Sequence, residues 1–288
     1  MSSYVIVTES SADLTVQETE AIGVRMLDLS VIIEGMDAPI ENRNVNVKDF
    51  YELLRSKKTV TTAAVNPEGF LKFFRGILEE GKDILYLGFS SGLSSTYSAG
   101  KLAAEELAEQ YPDRKILTID TLCASLGQGL LVFLAAEMQK KGASLEEVYQ
   151  YVMDNRLRLC HEFTVDDLFF LKRGGRVSAA TAVVGTMLNI KPVMHVDNAG
   201  HLIKVGIARG RKASLNALYE KTAKAAVNPG EQIMFICHGD CIEDAEYVAN
   251  RLRNELKVKE VRIGYTGPVI GAHSGPGTLA VFYLGTER

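Results

Sequence analysis

The sequence lacks the features that mark several large classes of protein. Apolar runs such as Leu130–Ala136 are far shorter than the roughly 20 apolar residues of a membrane-spanning helix. Basic residues are not in excess, because 32 lysines and arginines stand against 36 aspartates and glutamates, a formal net charge of −4. A nucleic-acid-binding surface shows as a basic excess. We therefore expect no nucleic-acid partner and no transmembrane segment, while transient contact with a membrane surface stays open.

Motifs that hold nucleotide phosphates are absent as well. The sequence has neither a Walker loop nor a Gly-x-Gly-x-x-Gly motif after a predicted strand, so we predict no nucleotide site in this chain. No basic segment precedes the apolar run Tyr4–Thr8, and from this start we expect no secretory signal. The corresponding prediction is a cytoplasmic location.

Cysteine is scarce, with four residues in 288, and two of them, Cys237 and Cys241, flank His238. This spacing raises the hypothesis of a zinc site. A structural zinc site needs a second group of ligands at similar spacing, and the other two cysteines, Cys123 and Cys160, are isolated. We therefore predict reduced thiols and no metal.

What the sequence does contain is a hydroxyl-rich loop, Gly88–Tyr97, in which five serines and threonines surround one glycine. The apolar run Asp83–Phe89 is typical of a buried parallel strand, and Lys101–Glu109 is helix-forming. A turn between a strand and a helix places hydroxyls and free backbone N–H groups at the helix N-terminus, where an anion is stabilised. Because the loop contains no lysine or arginine, it favours a carboxylate, or one hydroxyl-bound oxygen, over a polyphosphate.

Short apolar strands alternate with amphipathic helices along the first half of the chain, which predicts βαβ units and a parallel sheet flanked by helices. The predicted strands and helices lie at Tyr4–Thr8, Val47–Lys57, Pro67–Glu80, Ile84–Phe89, Ser95–Gln110, Lys115–Ile119 and Leu126–Lys140. The turns at 8–13 and 89–97 both follow strand carboxyl ends, so we expect them on the rim of the sheet where ligands bind. Between residues 22 and 35 the apolar alternation shifts phase once, which predicts a small β excursion.

The pattern changes near residue 160. A capping box at Ser144 begins a helix that runs to about Leu159, and Asp197–Gly200 is a hairpin turn signal. The predicted elements around and beyond it lie at Ile190–Val196, His201–Val205, Ser214–Ala226, Gln232–Cys237, Glu243–Leu256, Val261–Tyr265 and Leu279–Leu284. We predict an α/β protein of two α/β domains, 1–160 with a mostly parallel sheet and 161–288 with a mixed or antiparallel sheet and helices.

Five stretches, in order, resemble signatures of the DegV family, which are bacterial fatty-acid-binding proteins. Leu93–Ala99 is similar to the family's Leu-Ser-Gly-Thr-Tyr-x-x-Ala motif. The other four are Val5–Leu14, Ile119–Gly129, Leu171–Ser178 and Ile270–Gly277. Together they cover the chain from residue 4 to about residue 284, and five motifs in order are far more specific than one. The resemblance implies a tunnel between the two domains that holds a long-chain fatty acid.

The resemblance also implies the residues that hold the carboxylate. Aligning the family's Thr-Ser-Gln-Pro-Ser-Pro segment on Pro67 assigns its threonine to Thr62, the serine of the loop motif is Ser94, and the family histidine is His273. Hydroxyl groups donate to a carboxylate without neutralising it. Residues 63–66 depart from the family pattern, so Thr61 remains a rival of Thr62.

Two further departures bear on the site. Ser95 replaces the glycine of the loop motif, which either tightens the loop or adds a donor. Glu9 replaces the usual aspartate, and there we expect a change only in turn bonding. His273 lies among glycines and a proline, which is typical of a turn; a positively charged imidazole there would favour the ionised ligand.

Each proposed ligand residue has a structural alternative. Ser94 is in a position typical of a helix cap, Thr62 ends a β-prone stretch that begins at Thr59, and His273 is explained equally well as a turn residue without a role.

Two basic, glycine-bearing loops, Lys172–Arg176 and Arg209–Lys212, stand out in an acidic protein. They are either solvated loops or a surface for a charged partner. The resemblance implies that Arg173 and Arg176 meet a separate ATP-dependent kinase subunit, which phosphorylates the bound carboxylate to an acyl-phosphate. The chain would then be a lipid-binding subunit without catalytic residues, metal or cofactor, carrying only its fatty acid.

The alternative is an enzyme in its own right. Ser94, His273 and an aspartate such as Asp120 would form a hydrolase triad, although Ser94 lacks a Gly-x-Ser-x-Gly nucleophile elbow. The family's fold is also related to dihydroxyacetone kinases, which keeps a small-molecule phosphotransferase open. The sequence leaves open the acyl chain length, the unsaturation, the oligomeric state and the identity of the kinase.

Overall fold

The structure, a computed structural model, describes residues 3–178 and 189–288. Within these residues the strands, in chain order, are β1 Tyr4–Glu9, β2 Arg25–Leu27, β3 Ser30–Ile33, β4 Ile40–Glu41, β5 Val60–Ala63, β6 Asp83–Gly88, β7 Ile116–Asp120, β8 Leu159–Thr164, β9 Ile190–Val196, β10 Leu202–Arg209, β11 Ile233–His238, β12 Glu260–Tyr265 and β13 Leu279–Leu284. The helices are α1 Val16–Ala21, α2 Val47–Arg55, α3 Pro67–Glu79, α4 Thr96–Gln110, α5 Leu126–Lys140, α6 Leu145–Asn155, α7 Leu168–Arg173, α8 Arg211–Ala225, α9 Ile242–Asn254 and α10 Pro268–Ser274.

The first sheet is parallel throughout and has the strand order β2–β1–β6–β7. Side chains alternate between its faces, as the period of two in a strand requires. Val5 and Val7 pack with apolar residues of α3 and α4, whereas Tyr4 and Ile6 pack with those of α5. The predicted parallel sheet flanked by helices is therefore confirmed.

Residues 22–35 contribute strands to two different sheets. β2 extends the parallel sheet beside β1. β3 instead pairs antiparallel with β4 and β5, and these strands form a small three-stranded sheet. The phase shift in the apolar alternation lies where the chain leaves the first sheet for the second.

The third sheet is mixed, with the strand order β10–β9–β8–β13–β11–β12. β11 and β12 run parallel, and the other neighbours are antiparallel. The predicted hairpin is confirmed: Val196 pairs with Leu202, and Asp197 Oδ1 accepts from the backbone N–H of Ala199 and of His201, each at 2.9 Å. The predicted mixed sheet with helices is confirmed as well.

Helix α5 lies between the parallel sheet and the mixed sheet. Its buried residues face both sides, and one apolar core runs from β1 and β6 through α5 to β11 and β13. A helix that is apolar all round has to be buried in this way. The domain boundary near residue 160 stays a prediction, since β8 begins the mixed sheet at Leu159 but shares this core with the first half of the chain.

Two glycines allow α5 to pack closely against β8 on one side and against the turn after β1 on the other. A Cβ on Gly127 would lie 2.3 Å from His161 Nε2 of β8, and a Cβ on Gly129 would lie 2.6 Å from the carbonyl oxygen of Ala12. No helix within the described residues is long and apolar enough to cross a membrane.

We predict that Gly127→Ala destabilises the protein by about 1–3 kcal/mol, because the added methyl group overpacks the contact with β8. The matched control is Gly76→Ala in α3, where an added Cβ meets nothing within 4 Å. Alanine in that helix should stabilise by about 0.5–1 kcal/mol. Urea unfolding of both variants measures the two effects. Equal stabilisation by both substitutions would show that α5 does not approach β8 this closely.

Candidate functional site

A cavity of about 300 Å³ lies where the loops of the parallel sheet meet the small sheet and the mixed sheet. This volume is at the lower end of the ~300–1,000 Å³ typical of small-molecule sites. Most of its wall is apolar and includes Phe89, Leu93, Phe163, Leu171 and Phe282. The loop after β6 contributes to the wall, so the cavity lies at the carboxyl end of a parallel strand, where ligands bind in open α/β sheets.

Thr62 and His273 meet in this wall although 211 positions separate them in the chain. Thr62 Oγ1 lies 2.8 Å from His273 Nε2. Thr61 and Thr62 are consecutive residues of β5 and so point to opposite faces, and the structure places Thr62 in the cavity wall and Thr61 outside it, exposed.

His273 belongs to a helix, which corrects the interpretation of a turn residue. It occupies the last turn of α10, where Val269, Ile270, His273 and Ser274 all line the cavity. Proline at the first helical position fits an N-terminus, because the missing N–H has no partner there in any case. The ring packs closely against the basic loop, because a Cβ on Gly174 would lie 2.3 Å from His273 Nδ1.

The imidazole of His273 is neutral at physiological pH. Burial, followed by the charges of Arg176 and Arg173, lowers its pKa from 6.5 to about 4. The hypothesis of a positively charged His273 is therefore wrong for the ligand-free protein. A neutral imidazole carries one N–H donor and one acceptor nitrogen, so it can orient the Thr62 hydroxyl.

Ser94 makes a hydrogen bond at the start of a helix and also lies in the cavity wall. Its Oγ accepts from the backbone N–H of Thr96 at 3.2 Å, at the start of α4, and lies 2.8 Å from Thr96 Oγ1. Ser94 also lines the cavity. Ser95 has φ −76°, which any residue adopts, so serine in place of glycine does not strain the backbone there. Its side chain makes no capping hydrogen bond and lies in the cavity wall.

The hydrolase triad is not assembled. Asp120 Oδ1 accepts from the backbone N–H groups of Ser91 and Leu122, at 3.2 and 3.0 Å. No hydrogen bond among the described residues joins Ser94 to His273, whose ring nitrogen contacts Thr62 instead. A nucleophile needs a base within hydrogen-bond reach, and among the described residues Ser94 has no hydrogen bond to His273 or Asp120.

The two arginines of the basic loop have different surroundings. Arg173 is exposed, and its guanidinium lies 4.9 Å from the centre of the Phe170 ring. Arg176 is half-buried in the cavity wall, and its Nε donates to the Leu93 carbonyl at 3.1 Å. Within residues 3–178 and 189–288, no carboxylate forms an ion pair with Arg176, and burial lowers its pKa.

A second polar cluster in the cavity region was missed by the sequence analysis. Ser125 Oγ bonds to Asp13 Oδ2 and lies 3.3 Å from Cys237 Sγ, which Thr266 Oγ1 contacts at 3.1 Å. Burial raises the pKa of Asp13 to about 8 and that of Cys237 to about 12. Ser125 has φ 55° and ψ −148°, a conformation that is costly for any residue except glycine. The segment 119–129 had been recognised by resemblance, but nothing in its sequence marks this strain.

Cys237 thus belongs to the cavity wall. Among the described residues, no group of three or more histidine, cysteine, aspartate or glutamate side chains is arranged to hold a metal ion. His238 Nδ1 accepts from the backbone N–H of Cys241 at 3.2 Å, so the spacing that raised the zinc hypothesis forms a turn after β11.

At Glu9 we expected a change only in the hydrogen bonding of the turn, and that expectation was wrong. Its side chain is fully buried and accepts hydrogen bonds from Tyr86 Oη, Gln128 Nε2 and the backbone N–H of Phe89. Burial raises its pKa to about 7. The carboxyl group ties the end of β1 to α5 and to the beginning of the hydroxyl-rich loop.

We predict that the His273 imidazole of the ligand-free protein titrates with a midpoint near pH 4, because burial and the two arginines disfavour its protonated form. It should therefore stay neutral from pH 8 down to about pH 5. NMR titration of the His273 ring resonances measures this midpoint. A midpoint between pH 6 and 7 for His273 would contradict the burial of its ring.

The fold and the cavity define an α/β protein whose parallel and mixed sheets both line a largely apolar cavity. The family model described as "Uncharacterised protein, DegV family" matches residues 3–286. The chain belongs to the DegV family, so the resemblance drawn from the five motifs is confirmed.

Relatives and solved structures agree with this assignment. A DegV domain-containing protein of Clostridium perfringens is 46% identical over 290 residues, covering 100% of this chain and 99% of the relative. The structure of a DegV family protein from Thermus thermophilus, described by its fatty acid binding, has a TM-score of 0.88 at 30% identity and covers 98% of this chain and 99% of that one. DegV of Bacillus subtilis, described as a fatty acid binding protein, has a TM-score of 0.84 at 26% identity, covering 99% and 100%.

Proposed function

We propose that this chain binds a long-chain fatty acid in the cavity, with the carboxylate at Thr62, Ser94 and His273. The observation that carries the proposal is the convergence of these three residues, from three separate elements, on the wall of a largely apolar cavity. Family members from Thermus thermophilus and Bacillus subtilis are described as fatty acid binding, which supports the same ligand class here.

The acyl chain supplies most of the binding energy. Burying about 15 methylene groups at ~0.8 kcal/mol each gives a gross ~12 kcal/mol. The polar residues then select and orient the head group. If His273 Nε2 carries the ring proton, it donates to Thr62 Oγ1, and the Thr62 hydroxyl is free to donate to the carboxylate.

Arg176 supplies the positive charge of this site. The other three residues are neutral at pH 7, and a carboxylate brought into a poorly hydrated cavity needs a compensating charge. Arg176 is a half-buried cation in the same wall without an acidic partner among the described residues. Its bond to the Leu93 carbonyl also holds the chain next to Ser94 in place.

We further propose that the bound fatty acid is presented to a separate ATP-dependent kinase subunit, which forms the acyl-phosphate. In this arrangement the chain is a lipid carrier, and Arg173 and Arg176 contact the kinase. The exposed position of Arg173 suits a partner surface. Arg176 would then act twice, on the carboxylate and on the partner.

We predict that delipidation releases about one fatty acid per chain from the recombinant protein, as measured by mass spectrometry. In the delipidated protein, Ser94→Ala should weaken binding of a free fatty acid by about 1–3 kcal/mol, because the carboxylate loses a donor. A fatty alcohol of the same length should lose much less. Isothermal titration calorimetry with both ligands measures the difference.

The matched control for this substitution is Ser98→Ala, which removes an exposed hydroxyl from α4 outside the cavity wall and should leave both affinities unchanged. Protein that releases only polar metabolites, or none, would refute the fatty-acid carrier. Equal loss for acid and alcohol would mean that Ser94 only supports the start of α4.

We predict that Arg173→Ala leaves fatty acid binding unchanged and slows phosphorylation by the cognate kinase, with an effect that shrinks at high salt. Arg176→Ala should weaken fatty acid binding and phosphorylation together, because it removes a cation from the cavity wall. Lipid binding and kinase assays on both variants separate the two arginines. If Arg176→Ala binds the fatty acid as tightly as the wild-type protein does, Arg176 has no part in holding the carboxylate.

A further inference from the structure

Ser274 carries a buried hydroxyl in the cavity wall. Its side chain is 6% exposed, and its Oγ has no hydrogen-bond partner among the described residues. Buried polar atoms nearly always have a partner in the protein or in a bound molecule. A bound ligand would therefore supply the hydrogen-bond partner that the described residues do not offer to the Ser274 hydroxyl.

The position of Ser274 on α10 places it at the level of the carboxylate site. The cavity-lining residues of this helix are 269, 270, 273 and 274, a spacing that keeps them on one face. Val269 and Ile270 form an apolar layer, and His273 and Ser274 form a polar layer about one turn, or ~5.4 Å, further along the axis. Because His273 contacts Thr62, Ser274 belongs to the same layer as the proposed head-group residues.

The hydrogen bonds of the neighbouring hydroxyls single out Ser274. Thr62 is paired with His273, and Ser94 is paired with Thr96. Thr278, which also lines the cavity, donates to the Gly275 carbonyl at 2.8 Å. For the Ser274 Oγ, by contrast, the described residues offer neither a donor nor an acceptor within hydrogen-bond reach, so its proton is available to a ligand that accepts without donating.

We propose that Ser274 is a specificity-determining residue that donates a hydrogen bond to the head group of the bound ligand and favours an anionic acyl head group over a neutral one. A carboxylate is an acceptor only, and hydrogen bonds to a charged acceptor are about twice as strong as neutral ones. Serine has a single side-chain torsion with three staggered positions, so rotation about it turns the hydroxyl towards the ligand. This inference rests on the proposed fatty acid binding.

The test compares palmitic acid with 1-hexadecanol on delipidated full-length protein by isothermal titration calorimetry. Ser274→Ala should raise the Kd of palmitic acid by about 10- to 100-fold, the equivalent of one hydrogen bond to a charged group. The Kd of hexadecanol should change by less than about 3-fold. Ser274→Thr keeps the hydroxyl and should restore most of the preference for the acid.

The matched control is Thr164→Val, which removes another buried hydroxyl without a described partner, at a position outside the cavity wall. It should leave both affinities unchanged. An unchanged Kd of palmitic acid in Ser274→Ala, or an equal loss for acid and alcohol, overturns the role of Ser274. If the wild-type protein binds neither ligand, it is the proposed fatty acid binding that fails.

Discussion

The close packing of α5 against both large sheets is the constraint on which the rest of the structure depends. The helix can lie between them only because glycine occurs at the two contact positions, Gly127 towards β8 and Gly129 towards the turn after β1. Its N-terminus then brings Ser125 into the cavity wall beside residues of the mixed sheet. The buried carboxyl group of Glu9 ties the same helix to the hydroxyl-rich loop. A change that weakens the packing of α5 would therefore shift several parts of the cavity wall at the same time.

The proposed head-group site works by hydrogen bonds and by Arg176, a cation without an acidic partner among the described residues, and it does not need a charged histidine. Burial and nearby arginines keep His273 neutral, so its part is to orient the hydroxyl of Thr62. The positive charge lies on Arg176, which is half-buried in the same wall. A neutral histidine that orients a hydroxyl and an arginine that carries the charge together suit an anionic head group on a long apolar tail. The tail supplies most of the affinity, and the polar layer decides which head group is accepted.

Much of the fold could be predicted from the sequence, because local patterns carry the information. The alternation of strands and helices, the capping box at Ser144 and the hairpin turn at Asp197 all appear as predicted. The division of residues 22–35 between two sheets could not be predicted, since strand pairing depends on partners far away in the chain. The short helix α10 was missed because three glycines and a proline around His273 are typical of turns.

The sequence by itself determined the α/β class, the order of the elements and, through five motifs, the family. It also singled out Thr62, Ser94 and His273, which the structure brings to one cavity wall. Only the tertiary structure decided how these groups are charged and paired. Burial and neighbours distant in the chain determine the pKa of His273, the buried network of Glu9 and the strained backbone of Ser125. They also leave the Ser274 hydroxyl without a partner within the part of the chain that the structure describes. A residue type states which hydrogen bonds and charges are available, but desolvation and long-range packing determine which of them are used.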